Sequence, residues 1–236
     1  GELVESGTFR VDRKRALEKL KGFQLPNPEM FLLPWIRCAV ASGATEITIQ
    51  NQGVQRWPLW DLNKSGRRVP AMTTGEGQEW GIDSPWLEMR FGGRPFTAED
   101  LKDPFGCLLD EATAENVRNR NLAIGMLSAL RCNPMRVGVT AGSGSQRVRL
   151  RVESLEGYSI LPVEDALNET ILWVRWPMSF DRATRQRMLR HVADYYQVRP
   201  AHLKIYNTKQ ETINLPDDSQ RTKHDLQLFF EEGEVR

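Results

Sequence analysis

Histidine and cysteine are scarce in this 236-residue chain, with three of each. His191, His202 and His224 show no metal-like pairing, so each reads as structural rather than catalytic. Cys38, Cys107 and Cys132 are odd in number and scattered, each in an apolar or helical context. That argues against a metal-binding pattern, and the three read as reduced core thiols of a cytoplasmic protein. No uninterrupted apolar run is long enough to cross a bilayer, and no signal peptide is visible. Neither a P-loop nor a nucleophile elbow occurs. Scattered carboxylates such as Glu164 and Asp165 select no acid–base pair. Excess charge of one sign is missing too: a formal +1 gives no global electrostatic reason to expect nucleic acid or an acidic membrane. Internal repeats and long low-complexity tracts are absent. Gly1 in place of a methionine suggests a tag scar or an excised fragment, so a longer natural protein is an open expectation.

What is present is an ordinary globular composition, 40% hydrophobic and 27% charged. Asp12 fits the N-cap of a first amphipathic helix that places Ala16, Leu17 and Leu20 on one face. The lysines and arginines around them are its solvent face or a basic patch, and the solvent face is the default. Asn27-Pro28 has the form of a cap followed by a first-turn proline. It leads into the apolar stretch Met30 to Leu33, where Pro34 predicts a kink or a break, because an interior proline costs roughly 3 kcal/mol. From Phe31 to Thr45 there is no Asp, Asn or Glu at all. Gly43 ends that helix, and Glu46 to Gln50 alternates as a half-buried strand.

Residues 52–79 form a long polar insertion in which Trp57, Leu59 and Trp60 fit a hairpin packed on the sheet better than a ligand cap. Leu87–Phe91 is the next strand. Further on, Met135–Thr140 and Gln146–Val152 read as strands, the second with an apolar face and a face carrying Arg147, Arg149 and Arg151. Such a ladder grips phosphate, or it pairs with acidic neighbours and keeps a sheet face soluble; the second reading is preferred. Thr170–Trp176 is a strand, Asp181 caps a helix with Met188, Leu189, Val192, Tyr195 and Tyr196 on its apolar side, and His202–Tyr206 is a last strand. The tail 208–236 is polar and ends in the apolar cluster Leu226, Leu228, Phe229 and Phe230. It docks back on the domain, joins a downstream domain or meets another subunit, docking back being the default.

Four segments together resemble the GHKL ATPase superfamily, typified by gyrase B, the ninety-kilodalton heat-shock chaperone, sensor histidine kinases and MutL. The ending Gly43-Ala44-Thr45 plus a strand resembles the end of the first family motif, E-x-x-x-N-x-x-D-A-G-A-T. Register from that ending puts Pro34 where the family has its water-activating Glu, Cys38 at the magnesium-holding Asn and Ala41 at the Asp bordering adenine. A proline accepts no proton, and a neutral thiol is a poor ligand for a hard cation. Phe91-Gly92-Gly93-Arg94-Pro95 resembles the second motif, D-x-G-x-G, with Phe91 at the adenine-binding Asp, Gly93 at the first glycine and Pro95 at the second. Asn119–Leu130 resembles the glycine-rich lid that enters a helix, where Gly125 survives and Ala123 replaces a glycine. Arg118 and Arg120 there are solvated or bind an anion, solvation being the default. Glu169-Thr170 resembles the late Gly-Thr, with Thr170 retained.

The resemblance spans roughly Asp12 to Asn207 and is closest in layout to the chaperone and MutL branch. It implies an α/β two-layer sandwich, a mixed sheet covered on one face by helices, over residues 1–207, with 208–236 as a docked or linking tail. The expected role is a pseudo-ATPase in a larger bacterial protein, acting as a binding or regulatory module on an unidentified protein partner or a downstream domain. No catalytic residue, metal ligand or cofactor is assigned, and no nucleic acid or membrane partner is expected. The pocket positions equivalent to the family's ATP site are Cys38, Ser42, Phe91, Gly93, Gly125 and Thr170. One alternative is an ATPase binding ATP with magnesium in a rebuilt site, with Glu29 as base and Arg118 or Arg120 on phosphate. Another is an apolar or aromatic guest among Cys38, Ser42, Phe91 and Gly93.

Overall fold

The computed structural model describes residues 13–23, 25–52, 60–62, 68–70, 85–163, 167–177, 179–195 and 201–206. Asp12, Trp57, Leu59, Glu164, Asp165, Tyr196, His224 and the 208–236 tail lie outside the described residues.

Helix α1, Arg13–Phe23, buries Leu17. Asn27 then caps a short 3-10 turn, Pro28–Met30, by accepting from the Glu29 N–H at 2.9 Å. Helix α2, Leu32–Ala41, begins afresh two residues later. Pro34 therefore sits in a first helical turn, where its missing N–H has no intrahelical partner to lose. This is the break expected from the sequence. At the other end Ser42 is the C-cap and Gly43 adopts φ +80°. The Ala44 N–H reaches the Ala39 carbonyl at 3.1 Å and the Gly43 N–H reaches that of Val40 at 2.9 Å. This Schellman closure requires a left-handed residue, which glycine supplies.

Seven strands form one mixed sheet in the order β7-β6-β5-β8-β4-β1-β9. They are β1, Glu46–Gln52; β4, Trp86–Phe91; β5, Arg136–Ala141; β6, Val148–Val152; β7, Tyr158–Pro162; β8, Thr170–Arg175; and β9, His202–Tyr206. Only the β1–β9 pairing is parallel among these neighbours. Within the insertion, β2, Trp60–Leu62, and β3, Arg68–Pro70, pair as a separate antiparallel hairpin.

Three further helices, α3 (Ala98–Lys102), α4 (Val117–Leu130) and α5 (Arg182–Tyr195), complete the α/β architecture. Alternation along the strands sends one set of side chains, including Ile47, Met89, Val139, Leu150 and Leu172, into a core shared with Trp35, Met126, Leu127 and Met188 of the helices. The mixed sheet thus carries its helices on that face, as the sequence predicted. Asp181 caps α5 as expected, its carboxylate accepting from the Ala183 and Thr184 N–H groups at 3.0 Å each. Tyr195, expected on the apolar side, is instead exposed, because the buried stripe of α5 comprises Arg185, Met188, Leu189 and Val192.

Helices α2 and α4 pack against one another. Gly125 makes this possible: a Cβ built there would lie 2.2 Å from Cδ1 of Trp35, which is fully buried. The arginine ladder of β6 is shorter than its sequence suggested. Arg149 and Arg151 lie on the strand, whereas Arg147 precedes it, is fully buried and donates to the carbonyls of Gly142 (3.2 Å) and Glu169 (2.7 Å). It ties the β5–β6 turn to the approach to β8.

Candidate functional site

The C-terminal end of α2 and the loop after β4 meet at one carbonyl. The Ser42 oxygen accepts from the Arg94 N–H at 2.7 Å, and Gly93 beside it has φ +89°. A Cβ on Gly93 would fall 2.3 Å from that oxygen. The Ser42 hydroxyl donates in turn to the Cys38 carbonyl at 2.9 Å. Sequence-distant segments are thereby joined, with Ser42 and Gly93 in direct apposition.

Phe91 lies opposite Ile47 on β1 and Thr170 on β8. Phe91 and Thr170 are each 2% exposed, and the Phe91 ring belongs to the core. Cys38 is fully buried, and loss of solvent pushes its thiol up to about 12, although Arg118 and the Ser42 hydroxyl pull the other way. Gly125 lies inside α4 rather than in a lid. The Trp35 ring packs against it. That corrects the lid reading of Asn119–Leu130, a segment that is helical throughout.

Of the two arginines at the start of α4, Arg118 is buried, whereas Arg120 is only half-buried. Arg118 is 5% exposed, pairs with the Asp100 carboxylate at 3.0 Å, and stacks its guanidinium 4.2 Å from the centre of the Phe96 ring. It also donates to the Pro95 carbonyl at 3.3 Å and to the Asn119 side-chain oxygen at 3.1 Å. Arg120 donates to the carbonyls of Cys107 at 2.6 Å and Asp110 at 2.7 Å. Both cations hold loops onto α4, and Arg118, being buried, must satisfy its donors locally.

Asp100 was not singled out from the sequence. Its signal was the Thr97-x-x-Asp100 spacing: the Thr97 hydroxyl accepts from the Asp100 N–H at 3.1 Å and Asp100 accepts from the Thr97 N–H at 2.9 Å, a capping box for α3. Burial works to raise the Asp100 pKa, but the Thr97 N–H, the Asn119 amide, the Thr97 hydroxyl and Arg118 together outweigh it and hold the carboxyl below its ordinary range.

Glu29 lies away from this junction, between the 3-10 turn and α5. Arg187 grips both of its oxygens, at 2.9 and 3.1 Å, and His191 Nε2 lies 3.8 Å away. His191 is hydrogen-bonded to the Asn27 side chain at 3.2 Å.

The donor set around α2 does not fit a magnesium ion, which takes oxygen ligands: Pro34 and Ala41 offer no side-chain donor, and Cys38 offers a buried, protonated thiol. Among the described residues, no group of three or more His, Cys, Asp and Glu side chains is placed to hold a metal. Because the thiolate is the reactive form, Cys38 is expected to resist a maleimide at pH 8 in the folded protein and to label on unfolding in urea. Mass mapping of the labelled peptide checks this, and rapid labelling of folded Cys38 would show that its site is open.

No protein-family model matches the chain. No curated protein matches it either. Among solved structures, one described as the crystal structure of the N-terminal domain of a DNA repair protein is similar at a TM-score of 0.49 and 10% sequence identity. The match covers 86% of this chain and 56% of that one, so the chain spans just over half the length of its structural neighbour. A likeness of that degree says nothing about chemistry. Among the described residues, no helix is long and apolar enough to cross a membrane.

Proposed function

We propose that this chain is a degenerate GHKL-like domain, a pseudo-ATPase that serves as a binding or regulatory module for a protein partner or a downstream domain. Residues 1–207 are the domain, with 52–79 inserted in it. The observation that carries the proposal is the state of Phe91. At the position where the family places an adenine-binding Asp, this chain has an aromatic ring packed into the core between β1 and β8. A ring cannot accept the amino hydrogen bond, and loss of such a bond costs on the order of 1–3 kcal/mol of affinity.

Two further features support it. Cys38 replaces the magnesium ligand with a buried thiol, and Arg118 and Arg120 are committed to Asp100 and to loop carbonyls. The rebuilt-ATPase alternative gains nothing from Glu29, since both oxygens of that carboxylate are held by Arg187.

The test is binding of a labelled ATP analogue, with and without magnesium, alongside a thermal-shift scan of nucleotides. No binding at millimolar nucleotide is the expected result. Saturable, magnesium-dependent binding would overturn the proposal and send the search to a substitute base.

A further inference from the structure

Asn27 holds two partners at the turn that leads into α2. Its side-chain oxygen caps the turn by accepting from the Glu29 N–H at 2.9 Å, which fixes the amide so that its NH2 group faces His191. An amide nitrogen only donates. His191 Nε2, 3.2 Å away, therefore accepts, and the proton of the neutral ring sits on Nδ1. That is the minority tautomer of free histidine, selected here by a helix cap.

The same ring nitrogen faces a carboxylate. Glu29 Oε2 lies 3.8 Å from it and already accepts from Arg187 Nε at 3.1 Å. A carboxylate oxygen has two lone pairs, so one more donor fits there. Neutral His191 has no proton on Nε2 to give. Protonated His191 has one, and its Nε2–H opposes the Asn27 NH2 group, donor against donor. Glu29 then offers the ring a charge-assisted bond, the stronger kind. Arg187, Asp194 and Tyr195 stand one turn away on the ring's own helix, with the Tyr195 ring centre 6.2 Å from that of His191. Helix α2, which also packs on α5, has Arg37 as its one charged side chain. Past the end of α4, Cys132 lies beside Arg131, and burial followed by the Glu29 charge pushes its thiol up to about 12.

We propose that His191 is a proton-operated latch between α5 and the turn before α2: neutral, it holds the cap residue Asn27, and protonated, it releases Asn27 and closes on Glu29. Helix α5 stays tied to the turn in both states. What changes is the hold on the residue that caps the approach to α2.

The test is nitrogen NMR of the full chain, isotopically labelled at histidine, asparagine and arginine and followed from alkaline to acid pH. Signals missing from His191→Gln identify this ring among the three histidines. The neutral ring is expected to show a protonated Nδ1 and a bare Nε2, and Asn27→Ala should return it to the Nε2–H tautomer. On acidification the Asn27 NH2 and Arg187 Nε–H signals should move together with the ring. A neutral ring with its proton on Nε2 overturns the proposal, as does an Asn27 amide that stays put while His191 titrates. If a variant fails to fold, nuclear Overhauser contacts to Asn27 assign the ring in the parent chain, whose tautomer decides by itself.

Discussion

Gly93→Ala is expected to destabilise the fold by about 3 kcal/mol, through left-handed backbone strain of roughly 1–2 kcal/mol and a clash costing a similar amount. The methyl group would meet the Ser42 carbonyl at 2.3 Å, and that oxygen has little room to retreat. It belongs to the C-cap of α2 and already accepts from the Arg94 N–H at 2.7 Å. Gly92 is the control within the same loop. It has open space where a Cβ would stand, so Gly92→Ala should change stability by no more than about 0.5 kcal/mol. Thermal unfolding of the two variants checks the contrast; for a chain of this size the Gly93 change corresponds to roughly 6–12 °C. Equal midpoints for both would mean that the α2–β4 junction is not held at Ser42.

Asp100→Ala is expected to cost about 3 kcal/mol, because it leaves the Arg118 guanidinium buried without its counter-charge and also removes half of the α3 capping box. The Asp100 carboxylate is itself partly exposed, which keeps the figure at the lower end for buried pairs. Arg118→Met, which removes the charge and keeps an apolar stem near Phe96, should cost less. A double-mutant cycle with the two changes isolates the coupling. The pH dependence has a definite sign. Asp100 ionises below its ordinary range in the folded chain, so its contribution is complete above that range and is lost as pH falls through the folded value. The stability difference between the parent and Asp100→Asn should therefore shrink on acidification, and a difference that held constant through the acid limb would exclude the ion pair as its source. Chemical denaturation at several pH values measures it.

Much of the strand and helix content was legible because it rests on local rules. Asn27-Pro28, Pro34, Gly43 and Asp181 each act on their own turn of chain, so their effects survive without knowledge of neighbours. Alternation at Glu46–Gln50 marked β1 for the same reason. The charged residues were read less well. Arg118 and Arg120 looked solvated because a sequence does not say which carbonyls will lie 10 to 24 positions away in the chain but within reach in space. Arg147 looked like the first rung of a ladder, although it is a buried clamp. Gly125 looked like a lid glycine because its real reason, the Trp35 ring, comes from another helix.

The sequence by itself determined the local grammar of this protein: the caps, the proline break, the Schellman end of α2, the strand alternation and the α/β class. It also removed the carboxylates and amides from the segment around α2, a chemical fact that no packing can reverse. Only the tertiary structure decided what the remaining polar groups do. The physical reason is range. Capping and pleat act over one to four residues along the chain, whereas the desolvation that commits a buried guanidinium to one carboxylate is settled by whatever the fold brings alongside it.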